Sequence, residues 1–150
     1  MTDVTAALAL VFRVGARRCA LPLGAVVETL RPLPAEPLPG APPFVRGVAI
    51  VRGEPVPVVD AARLLGEPAG LLARWITLDL GQRHVALAVD EVLGVRALSG
   101  AAHALPPLLA DEGASGVAAL GRLDGALLHV LDGARLVPEA AWVALEATRA

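Results

Sequence analysis

Lysine, asparagine and tyrosine are missing from this 150-residue chain, and cysteine occurs once, at Cys19. One cysteine excludes an intrachain disulfide framework and any paired Cys-x-x-Cys motif. All thirteen basic residues are arginine, but the net charge is −2 and the isoelectric point about 5.9, so no global electrostatic attraction favours nucleic acid. With only Phe12, Phe44, Trp75 and Trp142 as aromatics, an OB-like barrel would lack the stacking platforms that single strands need. Long apolar runs are lacking too. The nearest, 97–110, is broken by Gly100, His103, Pro106 and Pro107, whereas a membrane helix needs about 20 apolar residues. The run 6–12 follows Asp3, where a signal peptide would carry positive charge, and no small-residue cleavage site succeeds it. It reads as a first strand, with a cytoplasmic location as the expectation.

What is present is apolar. Hydrophobic residues make up 55% and charged residues 19%, with a mean hydropathy of +0.63. Such a surplus can exceed what one core consumes, and contiguous exposed apolar surface marks interaction sites. The length suits one domain, or two small halves sharing a core.

The chain also repeats itself. "VGARRCALPLGAVVE" (14–28) lies over "LGQRHVALAVDEVLG" (80–94) at a shift of 66. "GVAIV" (47–51) lies over "GVAAL" (116–120) at 69, and "RGEPVPVVDAARLL" (52–65) over "DGALLHVLDGARLV" (124–137) at 72. Gly, Asp and Arg recur in register along with the aliphatics, which points to a duplication with halves at 8–66 and 75–137.

Each half reads as β-structure. Apolar runs at 8–14 and 18–23 flank Gly15-Ala16-Arg17, and runs at 45–51 and 55–59 flank Arg52-Gly53. The second half repeats this at 75–80, 84–89, 116–123 and 126–131, with Asp124-Gly125 as a hairpin turn. Asp60 and Asp132 each stand where a side chain can cap a one-turn helix, and Gly66 can end the first. Four or five short strands per half suggest two small barrels. The proline-rich "RPLPAEPLPGAPP" (31–43) makes a stiff crossing, and 138–148 a C-terminal helix with Trp142 and Leu145 inward. Pro55 and Pro57 lack amide protons on one side of their strand, which predicts an edge or a cap other than a sheet partner.

Catalytic chemistry is hard to find. His84, His103 and His129 have no metal-ligand spacing, and Cys19 aligns with Val85 as a small buried hydrophobe. Asp90-Glu91 could pair as acid and base but stands at a strand exit, where Asp commonly caps a turn. No phosphate loop and no G-x-S-x-G motif is present. Arg52 differs: its repeat partner is Asp124, so the turn does not require arginine. It is either a solvated turn residue or a guanidinium set to grip a partner's carboxylate or carbonyls.

The stretch "GVAIVRGEPVPVVDAARLLG" (47–66) resembles the signature of CheW-like domains, Gly-Val-x-Asn-Leu-Arg-Gly-x-x-x-Pro-x-x-Asp-Leu. Gly47, Val48, Arg52, Gly53, Pro57 and Asp60 fall on it, while Ile50 and Ala61 depart from its Asn and Leu. Upstream, Val26 and Glu28 match the family's Val-x-Glu, and the resemblance runs in order through about 8–137. It implies a mainly β fold of two pseudo-repeated five-stranded, SH3-like barrel subdomains about a shared apolar core, in one domain over 1–150. It implies a non-enzymatic adaptor without cofactor, joining the cytoplasmic tip of chemoreceptors to the regulatory domain of a CheA-type histidine kinase. A helical hairpin tip would then enter the groove between the barrels. On the family match, Val26, Glu28, Gly47 and Arg52 are the expected partner contacts. Val89 and Val92, from the corresponding segment of the second half, would line the opposite wall. A small β-barrel sensor holding an apolar ligand is the alternative.

Overall fold

The computed structural model describes residues 7–68, 70–98, 103–104, 117–123, 126–131 and 136–149. Strands β1 (Ala7–Val14) and β2 (Arg17–Pro22) form the first hairpin. A 3-10 turn, Leu23–Ala25, leads into β3 (Val26–Leu30). The proline-rich crossing follows, touching the body through Glu36, whose backbone bridges Val48. The second hairpin joins β4 (Val45–Val51) to β5 (Glu54–Asp60). Its central residues, Arg52 and Gly53, have φ of 53° and 81°, the positive values that a type I′ turn demands. Asp60 then starts helix α1 (Ala61–Leu65), its carboxylate accepting from the Arg63 amide at 3.1 Å. Gly66, at φ 73°, closes that helix in the left-handed conformation.

The second half supplies β6 (Arg74–Asp79), β7 (His84–Val89), β8 (Glu91–Leu98), β9 (His103–Ala104), β10 (Val117–Leu123) and β11 (Ala126–Leu131). Helix α2 (Glu139–Arg149) begins just after Pro138 and buries Ala141, Trp142 and Leu145, the face expected to point inward. The expected turn at Asp124-Gly125 and the Asp132 cap lie outside the described residues.

Two sheets result: β8-β1-β2-β11-β10-β9 and β3-β6-β7-β5-β4. The fold is mainly β and consistent with SH3-like subdomains, although neither sheet closes into a barrel through backbone pairing among the described residues. The halves of the sequence are not the halves of the molecule. Each sheet takes its first hairpin from one half and the rest from the other. Within this exchange the two sheets share one register. A shift of 66 carries Val26↔Leu78 onto Val92↔Phe12, and Trp75↔Ala88 onto Ala9↔Pro22. Even the bulges coincide, Val27 on β3 answering Leu93 on β8. Because hairpins are exchanged, the operation relating the sheets returns to its start when applied twice. The duplication therefore folds as an approximate two-fold.

Two expectations need correction. β4 pairs Val45 with Val59 and β10 pairs Val117 with Leu131, each with a bulge after the first pair. Thus 45–51 correspond to 117–123 at a shift of 72, and Gly47 answers Ala119, not Gly116. The glycine match at 69 had misled because short aliphatic strings align in several registers. β5 is also not an edge; it lies between β4 and β7. The Asp60 amide donates to Phe44 O at 2.7 Å on the β4 side, so alternation turns the nitrogens of Pro55 and Pro57 toward β7. There the ladder is confined to Val58–Asp60, beyond the prolines.

The core accounts for much of the apolar surplus. On β1, Leu10, Phe12 and Val14 enter the main cluster, while Ala9 and Val11 enter a second one with Ala20 and Leu128. β7 buries Val85 through Val89 without a break. Strands buried on both faces read as continuous hydrophobic runs, so this composition is needed inside.

Candidate functional site

Glu28 and Arg52, both singled out from sequence, meet in space. Arg52 Nε donates to Glu28 Oε2 at 3.0 Å and a terminal nitrogen to Oε1 at 2.6 Å, a bidentate fork. β3 and β4 are the two edges of the five-stranded sheet, so the fork spans the gap where backbone pairing stops. Thr77 Oγ1 donates to the Glu28 carbonyl at 3.3 Å and holds β3 from behind. The guanidinium holds the Glu28 carboxyl below the usual carboxylate range, mainly through the hydrogen bond, and Glu28 raises Arg52 in turn. Side-chain exposure is 77% for Arg52 and 25% for Glu28. An exposed pair of this kind adds little to stability. Two of five guanidinium N–H donors point at Glu28, leaving the others for a second acceptor. Beneath the fork, Val27, Val51 and Val56 line a pocket of about 90 Å³, with Glu54 and His84 on its rim.

The other expected contacts divide. Val26 is half-buried on β3, one residue before the bulge at Val27, which is 55% exposed. Val92 is half-buried on β8 and lines a groove of about 590 Å³ where the chain crosses between sheets. Gly47 and Val89 are both buried, Val89 completely, so neither presents a contact surface to solvent in this structure. Gly47 sits at φ 153°, and a Cβ there would fall on the Glu36 carbonyl oxygen. Its task is to let the proline-rich crossing lie against β4, where Glu36 and Val48 exchange hydrogen bonds of 2.9 and 2.7 Å. Val89 is fully buried in the inter-sheet core, which follows from strict alternation failing on a strand buried on both faces. Ile50, at the family's Asn position, is 63% exposed.

The groups weighed for catalysis have structural occupations. Asp90 is buried and accepts from the Gly15 amide at 2.8 Å and the Leu72 amide at 3.0 Å. Arg13 lies 3.6 Å from Asp90 and 3.3 Å from Glu91, so the carboxylates are joined by a cation and not by a shared proton. Burial pushes the Cys19 thiol up to about 12, leaving almost no thiolate at neutral pH. His84 lies on the surface between Asp79 and Glu54, 3.8 and 4.0 Å away. Burial and the neighbouring Arg17 hold His129 below the usual histidine range. Only the backbone of His103 is described.

One paired feature escaped the sequence reading. Arg17 Nε reaches Glu67 at 2.7 Å, and Arg83 forms a fork with Glu139 at 3.0 and 2.9 Å. The shifts of 66 and 72 interconvert these two clasps, so carrying the repeat two residues past Val137 reaches Glu139.

The family profile described as CheW-like domain matches residues 8–141. FrzA of Myxococcus xanthus is 37% identical over 107 residues, 69% of this chain and 66% of that protein. PilI of Pseudomonas aeruginosa is 35% identical over 102 residues, 65% of this chain and 57% of that one. The chain therefore spans just under two thirds or less of these relatives. The crystal structure of the scaffolding protein TtCheW from Thermoanaerobacter tengcongensis superposes with a TM-score of 0.74 at 22% identity. That match covers 85% of this chain and 89% of the other, and shows the shared fold. Among the described residues no helix is long and apolar enough to cross a membrane. By the match over 8–141, this chain belongs to the CheW-like domain family.

Proposed function

We propose that this chain is a non-enzymatic adaptor, free of cofactor, that couples chemoreceptors to the regulatory domain of a CheA-type histidine kinase. It would act in the cytoplasm, recruited to membrane-associated receptor arrays. The observation that carries this reading is the Glu28–Arg52 fork. It presents a guanidinium with spare donors above an apolar pocket, on an open sheet end. That combination is of little use to the fold and suits a polar rim around a small apolar anchor point. Val26, Glu28 and Arg52 form one contact region, and Val92 belongs to a second, in the groove between the sheets. Two separated regions are what a coupling protein needs, since it must hold two partners at once. The sensor alternative has less support: the groove between the sheets, about 590 Å³, has room for a small molecule but is lined largely by Arg31, Arg74, Asp90 and Glu91, not by the apolar walls an apolar ligand needs.

The test is a pull-down of the kinase regulatory domain and of a receptor cytoplasmic fragment by wild type and Arg52→Glu. The substitution sets two carboxylates against each other on an exposed face. We expect an unchanged unfolding midpoint and the loss of at least one partner. Retention of both partners at wild-type levels would remove Arg52 from the interface.

A further inference from the structure

The outer edge of β4 is left open by its own neighbour. The proline-rich crossing meets β4 at one point, where Glu36 and Val48 exchange both backbone hydrogen bonds in an antiparallel bridge. Continuing that register sets Pro34 opposite Ile50, the next hydrogen-bonding position of an antiparallel ladder. Proline has no amide to give there, so the ladder stops. By alternation the Ile50 amide and carbonyl point the same way as those of Val48, away from β5. Neither forms a backbone bond to the crossing.

The space beside this edge is apolar. A half-open trough of about 780 Å³ lies between Leu33, Pro34 and Leu38 of the crossing and Ile50 and Pro55 of the hairpin, with Leu145 of α2 as a further wall. Ile50, a strong strand former, is 63% exposed. Glu36 is the one charged residue of the described lining; it is exposed and forms no ion pair among the described residues.

An uncovered strand edge beside exposed apolar side chains is a template for another strand. The bridge at Val48 decides what kind. A second copy turned antiparallel about Ile50 would have to set its Val48 against Arg52, and that Val48 is already bonded to its own Glu36. Two folded sheets could therefore pair at a single residue. A flexible segment can enter the trough and turn away before the bridge.

We propose that β4 takes up an extended segment of another protein by strand addition, antiparallel to β4, at the place Pro34 cannot fill. One residue of the segment exchanges both main-chain bonds with Ile50, and its apolar side chain lies in the trough beside Ile50 and Pro55. The segment runs from the hairpin tip toward Val48, so a basic residue on its C-terminal side meets Glu36. Main-chain bonds supply affinity in this mode, and the alternate side chains select the segment. Neither contact region of the adaptor reading includes the trough, so the inference is independent of that reading.

The probe is the acetylated and amidated peptide Ser-Thr-Thr-Ile-Thr-Lys-Ser, titrated into the isotope-labelled full chain and followed in amide spectra. We expect saturable shifts at Ile50 and its neighbours, with a Kd of about 1 mM or tighter. The same peptide N-methylated at its isoleucine should bind at least about tenfold more weakly, and so should the Ile50→Pro chain. The β4–β5 ladder does not use the outward amide of Ile50, and thermal unfolding checks that this variant folds. If it does not fold, the methylated peptide decides alone. Equal binding of the methylated peptide, or of the folded variant, would reduce the contact to apolar adsorption and overturn strand addition. A wild-type chain with no saturable shift at Ile50 would overturn it too. If the Ile50 amide of the unliganded chain is already protected from exchange, a segment of this chain or a second copy covers the edge. Sedimentation then tells which, and the proposal falls. The adaptor reading stands in each of these cases.

Discussion

Arg52 occupies a turn position that backbone sterics would give to asparagine or glycine, since its φ is 53°. The repeat supplies an aspartate there instead, so the residue type is free to vary and its choice carries information. The sequence could therefore single out Arg52, but not its partner. Glu28 lies 24 residues away, and their meeting depends on β3 and β4 ending up as the two edges of one sheet. Gly47 shows the converse. A motif glycine reads equally as a contact or as a point of backbone approach, and only the position of Glu36 decides. Cys19 was legible, because the repeat places Val85 at its equivalent. With its thiol pushed up to about 12, Cys19 should resist alkylation by a maleimide at pH 8 in the folded chain and react fully in denaturant. Cys19→Val should fold with a stability change under about 1.5 kcal/mol, measured by urea unfolding. Rapid labelling of the native protein would contradict the burial.

At the level of elements, the hairpin strands and their turns were readable, while the edge strands β3 and β8 and the neighbours of every strand were not. Periodicity and turn residues placed the hairpins, the Asp60 cap and the C-terminal helix within a residue or two. Pro55 and Pro57 predicted a strand lacking a partner on one side. The structure meets that constraint along only part of β5, by starting the β7 ladder at Val58. The terminal helix illustrates how such elements are attached. Arg83 forks onto Glu139, approaches Glu146 at 3.9 Å, and stacks over Trp142 with 4.8 Å to the ring centroid. Trp142, beside this clasp, and Leu145 are buried. Arg83→Ala removes the clasp and the stacking while leaving the apolar contact. Amide exchange in 139–149 should then speed up at least several-fold, with β7 and β1 unaffected. Equal protection in both proteins would assign the docking of α2 to its apolar face alone.

For the molecule as a whole, the duplication was visible in the amino acids and its spatial meaning was not. Two consecutive halves suggest two consecutive barrels, yet each sheet borrows a hairpin from the other half. Nothing local distinguishes these outcomes, because every strand keeps the same sequence pattern and the same neighbours by type. The exchange has a consequence for function: neither sheet can form without both halves. The proposed contact regions, on the open end of one sheet and in the groove between the two, are thereby held in fixed relation, as the proposed coupling requires. The most direct test is kinase activity in a mixture of receptor-bearing vesicles and a CheA-type kinase, with this chain added as wild type or Arg52→Glu. The account predicts that wild type brings the kinase under receptor control and that the folded variant does not. Receptor control that is equally strong with the variant, or absent with wild type while both partners are active, would contradict it.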